Sequence, residues 1–125
     1  MNDPLTGKVI AAAFTVFNKL GFGFLEKVYE NALVIELHKN GIEVEQQVPI
    51  NVFYDEHEVG HYFADLLVKN RLIVELKSVV SLLAEHESQV VNYLTATGND
   101  IGLLINFGLE GVEVKRKYRV YRKGN

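Results

Sequence analysis

Asp65, Glu75 and Lys77 stand inside two apolar, strand-like runs that are joined by the polar break Lys69-Asn70-Arg71. Positions two apart in a strand face the same side, so the Glu75 carboxylate and the Lys77 ammonium project together. A tight hairpin between the runs would bring Asp65 alongside them. Charges in segments that otherwise read as core are costly unless they are paired or hold a metal. A magnesium ion takes hard oxygen ligands in an octahedral shell and keeps several waters. Asp65, Glu75 and the backbone carbonyl of Leu76 would supply half of such a shell. Lys77 beside it would orient or deprotonate an attacking water and offset the charge of a phosphate. The expected chemistry is phosphodiester hydrolysis. The plainer reading is a Glu–Lys pair on a half-exposed strand, and the apolar flanks Leu72, Ile73, Val74, Leu76, Val79 and Val80 weaken it.

Two helical faces carry further candidates. Glu26 and Tyr29 are three apart and share a face. Taken alone, Glu26 reads as a first-turn carboxylate that satisfies the helix dipole. His86, Gln89 and Tyr93 fall at i, i+3 and i+7 and also project together. The segment Lys115-Arg116-Lys117-Tyr118-Arg119-Val120-Tyr121-Arg122-Lys123 interleaves cations with Tyr118 and Tyr121, as a strand touching phosphates and unpaired bases would. It reads equally as a charged edge strand that resists edge-to-edge aggregation. His57 and His61 have no partner at a recognised zinc spacing and read as surface histidines.

The elements that must position these residues follow from periodicity. Val9, Ala12, Ala13, Val16, Phe17 and Leu20 form a helical stripe that Gly21 ends. A second helix, about Leu25 to Asn40, is expected to bury Leu25, Val28, Ala32, Leu33, Ile35 and Leu37. Alternation from Ile42 to Tyr54 gives a half-buried strand, with an irregularity expected at Pro49. Strands over Val59–Val68 and Arg71–Val79 complete an antiparallel meander. A helix from Ala84 to Thr97 closes at Gly98 and suggests a crossover to the apolar strand Asp100–Phe107. A last strand, Val112 to Tyr121, is expected to place Lys115, Lys117 and Arg119 on a cationic outer face.

Composition narrows the class. A chain of 125 residues, 48% of them hydrophobic, suits one compact domain over 1–125 and argues against disorder. With no cysteine there is no disulfide, thiolate zinc site or cysteine nucleophile. No signal-like leader or membrane-length apolar run is present, so the expectation is a cytoplasmic protein without membrane contact. The net charge of −3 disfavours a nucleic-acid binder, but six of the 13 basic residues fall in the last eleven positions. That polarised pattern permits nucleic-acid contact.

The segment around Ala64-Asp65 and Glu75-Leu76-Lys77 resembles the catalytic motifs of the PD-(D/E)XK nuclease superfamily, with alanine where proline is common. Gln89-Val90-Val91-Asn92-Tyr93 resembles the Q-x-x-x-Y motif of its RecB-like branch. Gly23-Phe24-Leu25-Glu26-Lys27-Val28-Tyr29 reads G-x-x-E-x-x-Y, the signature of the small bacterial family of GxxExxY proteins within that superfamily. The likeness continues through Tyr29-Glu30-Asn31-Ala32-Leu33 and Gly102-Leu103-Leu104-Ile105-Asn106-Phe107-Gly108.

The resemblance implies an α/β fold with a restriction-endonuclease-like core. Its mixed sheet, an antiparallel meander plus a crossover helix, would be flanked by helices in the order ααβββαββ. It implies a nuclease dependent on Mg²⁺ or Mn²⁺, acting on nucleic acid, DNA ahead of RNA, and a homodimer where both strands of a duplex are cut. Asp65 and Glu75 would be metal ligands, with Glu26 near the metal and Lys77 the catalytic lysine. Gln89, Tyr93 and Tyr29 would contact substrate, with Lys115, Arg116 and Lys117 as phosphate contacts. The competing expectation is a non-catalytic module that binds nucleic acid or protein and keeps the fold; a weaker one is an enzyme acting on another phosphate substrate.

Overall fold

The computed structural model describes residues 3–120. The elements run α1 (Pro4–Leu20), α2 (Glu26–Lys39), β1 (Val44–Tyr54), β2 (His57–Val68), β3 (Leu72–Lys77), α3 (Ala84–Thr97), β4 (Ile101–Gly108) and β5 (Gly111–Tyr118). The order ααβββαββ is the expected one. The five strands form one sheet in chain order. The pairs β1–β2, β2–β3 and β4–β5 are antiparallel, and β3–β4 is parallel through the α3 crossover.

Asp3 caps α1 by accepting from the Leu5 amide, Pro4 takes the first turn, and the Gly21 N–H closes the helix on Phe17. Arg71 forks onto both oxygens of Asp3 at 2.6 and 3.0 Å, fixing the start of α1 to the β2–β3 turn. Alternate strand residues separate two packing faces. Leu66, Val68, Leu72, Val74, Leu76, Leu103, Ile105 and Phe107 pack with α1 and α2, whereas Ile73 packs with Tyr93 and Leu94 of α3.

Three local readings are corrected. Helix α2 buries Tyr29, Glu30, Leu33 and Leu37, while Leu25, Val28 and Ile35 are exposed. Its apolar residues lie around much of the helix, so periodicity did not single out the stripe that docks. The irregularity of β1 lies at Gln47, whose φ is 52°, and at a register shift between Val52 and Phe53, with Pro49 paired to Phe63. Pro49 is tolerated because β1 is an edge strand. Strand β5 ends at Tyr118, and Tyr121, Arg122 and Lys123 lie outside the described residues.

The β1–β2 and β2–β3 hairpins turn through consecutive left-handed residues, Asp55-Glu56 and Lys69-Asn70, a backbone twist that matches that of the flanking strands. Helix α3 approaches the sheet closely because Gly102 has no side chain. A Cβ there would lie 2.9 Å from Val90 Cγ1 and 3.3 Å from the Ile73 carbonyl oxygen. Gly102→Ala should therefore destabilise the protein by about 1–3 kcal/mol through overpacking. Chemical denaturation of the variant would measure this, and an unchanged midpoint would refute it.

Candidate active site

The β2–β3 ladder stops at Leu66↔Val74, and beyond it the two strands are joined by side chains. The Asp65 N–H donates to Glu75 Oε1 at 2.9 Å, and the Leu76 N–H donates to Asp65 Oδ2 at 2.8 Å. Each carboxylate thus satisfies an amide that the parting strands would leave unpaired. The expected closeness of Asp65 and Glu75 is present at the mouth of this fork.

Both groups are pushed above the ordinary carboxylate range. Burial raises Glu75 to about 8, reinforced by the Asp65 charge and opposed by the Asp65 amide and Lys77. Burial also raises Asp65, opposed first by the Leu76 amide and then by the Gln47 amide. Lys77 is half-buried and its charge acts on Glu26, Asp65 and Glu75 alike. Glu26, at the exposed start of α2, is raised by partial desolvation; Lys77 opposes that shift, and Asp65 and Glu30 add to it. Tyr93 is pushed up to about 12 by desolvation and then by Glu75 and Asp65, which puts α3 beside the fork. Glu26, Asp65, Glu75, Lys77 and Tyr93 form one electrostatically linked group. Gln89 and Tyr93 share the wall of an adjacent cavity of about 400 Å³ with Tyr62 and Asn92.

Other expected contacts fall elsewhere. Tyr29 is fully buried, stacks on Phe107 at a centroid distance of 4.4 Å, and donates its hydroxyl proton to the Gly21 carbonyl. It accepts from the Phe24 N–H at 3.3 Å, so it holds the loop before α2 and presents no exposed surface. Lys115 and Lys117 share one face of the edge strand β5, and Arg116 lies on the other. Lys117 is paired with Glu87 of α3 at 3.1 Å. Lys115 shares a register row with Glu75 through Leu104, two strands away. His86 caps α3, its Nδ1 accepting from the Leu83 N–H at 3.0 Å.

Sequence reasoning missed three contributors. Glu30 is buried at 3% exposure and takes bonds from Lys27, Gln46 and Gln47. Gln47 also donates to Asp65. Asn106 closes the loop that follows β3, accepting from the Val79 N–H and donating to the Val79 carbonyl, both at 2.9 Å. Asn106 sits within the segment that carried the family likeness, which was the one available signal; nothing in the local pattern marked Glu30 or Gln47.

Among the described residues no three His, Asp or Glu side chains are grouped as a ready metal cage. Magnesium does not require one, since it is commonly held by one or two carboxylates, waters and substrate phosphates. The hard oxygen donors of Asp65, partly buried, and Glu75, buried, are both destabilised as anions and suit such an ion. A nearby cation favours the charged form of both.

A five-stranded mixed sheet with helices on both faces and a carboxylate pair at a strand fork defines a restriction-endonuclease-like fold. The family model of the PD-(D/E)XK nuclease superfamily matches residues 3–118, and the chain belongs to that superfamily. Among solved structures, the crystal structure of SSO0001 is similar, with a TM-score of 0.59 at 16% identity. The match covers 77% of this chain and 52% of that one, so this chain spans about half its length and the likeness concerns the fold alone. No curated protein sequence matches the chain significantly.

The Glu75 shift has a definite sign. Glu75 holds its proton more tightly in the folded state, with a pKa of about 8, than its ordinary value of 4.5. Its contribution to stability is complete below the ordinary value and is lost as pH rises through the folded one. In chelator, stability should fall across that window at up to about 1.4 kcal/mol per pH unit. Glu75→Gln should flatten the slope and raise the melting temperature at the alkaline end. Thermal melts over the window would decide; a Gln variant less stable than the parent at alkaline pH would refute the burial argument.

Proposed function

We propose that this protein is a divalent-metal-dependent nuclease that hydrolyses phosphodiester bonds at the Asp65–Glu75 fork. The observation that carries the reading is the pair itself: the buried Glu75 and the partly buried Asp65 across a fork, with Lys77 on the Glu75 face. The G-x-x-E-x-x-Y and Q-x-x-x-Y patterns support placing the chain with the GxxExxY proteins and the RecB-like branch. Asp65, Glu75 and the Leu76 carbonyl would hold Mg²⁺ or Mn²⁺, with Glu26 at its edge. When bound, the ion supplies Lewis-acid polarisation of the phosphate and acidifies a coordinated water.

The chain's own groups do the rest. Lys77 orients the attacking water and offsets charge accumulating on the phosphate. The Tyr93 hydroxyl, held as the neutral phenol, and the Gln89 amide steady the strand that carries the scissile bond. The proposal extends to DNA in preference to RNA, to a cytoplasmic protein, and to a homodimer where both strands are cut. No helix among the described residues is long and apolar enough to cross a membrane.

The test is cleavage of labelled single- and double-stranded DNA and RNA with Mg²⁺, Mn²⁺ or chelator. Asp65→Ala and Lys77→Ala should each lower the single-turnover rate at least about 100-fold. Activity that survives either change would overturn the assignment. Nucleic-acid binding with neither cleavage nor ion binding would instead favour the non-catalytic module.

A further inference from the structure

Gln47 lies in the interior of β1 in the left-handed region, at φ 52°. The flanking pairs Gln46↔Leu66 and Val48↔Ala64 keep one register, so no inserted residue accounts for the distortion. A side-chain-bearing residue in that region carries strain that its surroundings must offset, and such positions cluster at functional sites. The side chain identifies what the strain obtains. Gln47 Nε2 donates to Glu30 Oε1 at 2.9 Å and to Asp65 Oδ1 at 3.2 Å. Ionised carboxylates only accept, so the amide nitrogen, with its two hydrogens, is the atom that bridges them.

Glu30 is itself fixed. Its Oε2 accepts from Lys27 at 2.9 Å and from Gln46 at 2.7 Å. Asp65 is held at both oxygens, Oδ1 by Gln47 and Oδ2 by the Leu76 amide. Its carboxylate plane therefore cannot turn without breaking one of two bonds. The chain Lys27–Glu30–Gln47–Asp65 runs from the exposed face of α2 to the fork.

We propose that Gln47 is a positioning residue of the phosphodiester site: its strained backbone lets one amide tie Asp65 to the buried Glu30, fixing the orientation in which Asp65 receives a divalent ion. This rests on the nuclease reading above, and it concerns a residue that touches neither substrate nor ion. Groups that orient a metal ligand typically alter ion affinity or rate by about 10- to 100-fold when removed.

Gln47→Gly separates positioning from folding, because glycine adopts the left-handed backbone without strain while the amide is lost. Gln47→Asn also tolerates that backbone but is too short to span both carboxylates. The measurements are melting temperature, Mn²⁺ affinity by calorimetry without substrate, and single-turnover rate with KM on labelled DNA. Both variants should keep the parent's melting temperature or exceed it. Both should lose about 10- to 100-fold in Mn²⁺ affinity and in rate, with KM for DNA unchanged. Wild-type ion affinity and rate in Gln47→Gly would overturn the proposal, as would a fall in melting temperature that accounts for the whole defect. A parent protein that binds Mn²⁺ but cleaves nothing would refute the nuclease reading alone, and the affinity comparison would still decide the role of Gln47. A parent that binds no divalent ion would overturn both.

Discussion

The structure depends on an exchange of bonds at the point where β2 leaves β3. Asp65 and Glu75 each take a backbone amide from the opposite strand, at 2.8 and 2.9 Å, where a continuous sheet would have used carbonyls. A carboxylate brings to that position something a carbonyl cannot, an ionisable group held at a defined place in a partly dry environment. The cost appears in the raised affinity of both groups for a proton. Two like charges so close cannot both be comfortable without a compensating cation. The fork is satisfied as a backbone arrangement and strained as a charge arrangement.

The surrounding elements bring other groups to the fork without entering it. The Tyr29–Phe107 stack anchors α2 to β4, and the Tyr29 hydroxyl and Ser78 hydroxyl both bind the loop before α2, the latter at the Phe24 carbonyl at 2.6 Å. These contacts tie the start of α2, and so Glu26, to the end of β3, and so Lys77. On the other face, Gly102 lets α3 lie close enough that Tyr93 senses both carboxylates. Asn106 then holds the chain as it leaves β3, bonding both polar backbone groups of Val79. Residues that read as packing or as loop polarity thus set the positions of those that read as chemistry.

What the sequence made legible follows from where its signals are local. Alternation and 3–4 spacing located all eight elements, and the Glu75–Lys77 spacing put both side chains on one face. Charges within apolar runs pointed to the fork before any pairing was known. The burial of Tyr29 was not legible, because a tyrosine three residues after a glutamate looks the same whether it faces solvent or a phenylalanine 78 positions later. The pairing of Lys117 was not legible because Glu87 lies on another element. Glu30 and Gln47 left no trace, since Glu45 and Gln47 read as polar positions of an ordinary alternating strand. The β1–β2 register sets Gln47 opposite Asp65, but no side-chain pattern encodes that pairing or a positive φ in mid-strand.

Charge balance argues that ion and substrate act together on the proposed reading. Glu26, Glu30, Asp65 and Glu75 gather around Lys27 and Lys77, so a phosphate approaching the fork meets an excess of negative charge. Lys117 is held by Glu87 and Lys115 is two strands away, so neither cancels that excess locally. The same field that repels a polyanion favours a divalent cation, whose charge lowers the proton affinity of Asp65 and Glu75 and reverses the sign that the phosphate encounters. Association with nucleic acid at the fork would then be linked to ion binding by electrostatics alone, before any bond is broken. A fork built as a carboxylate pair joined through the backbone provides this coupling; a neutral pair with the same hydrogen bonds would hold the strands equally well and attract no ion.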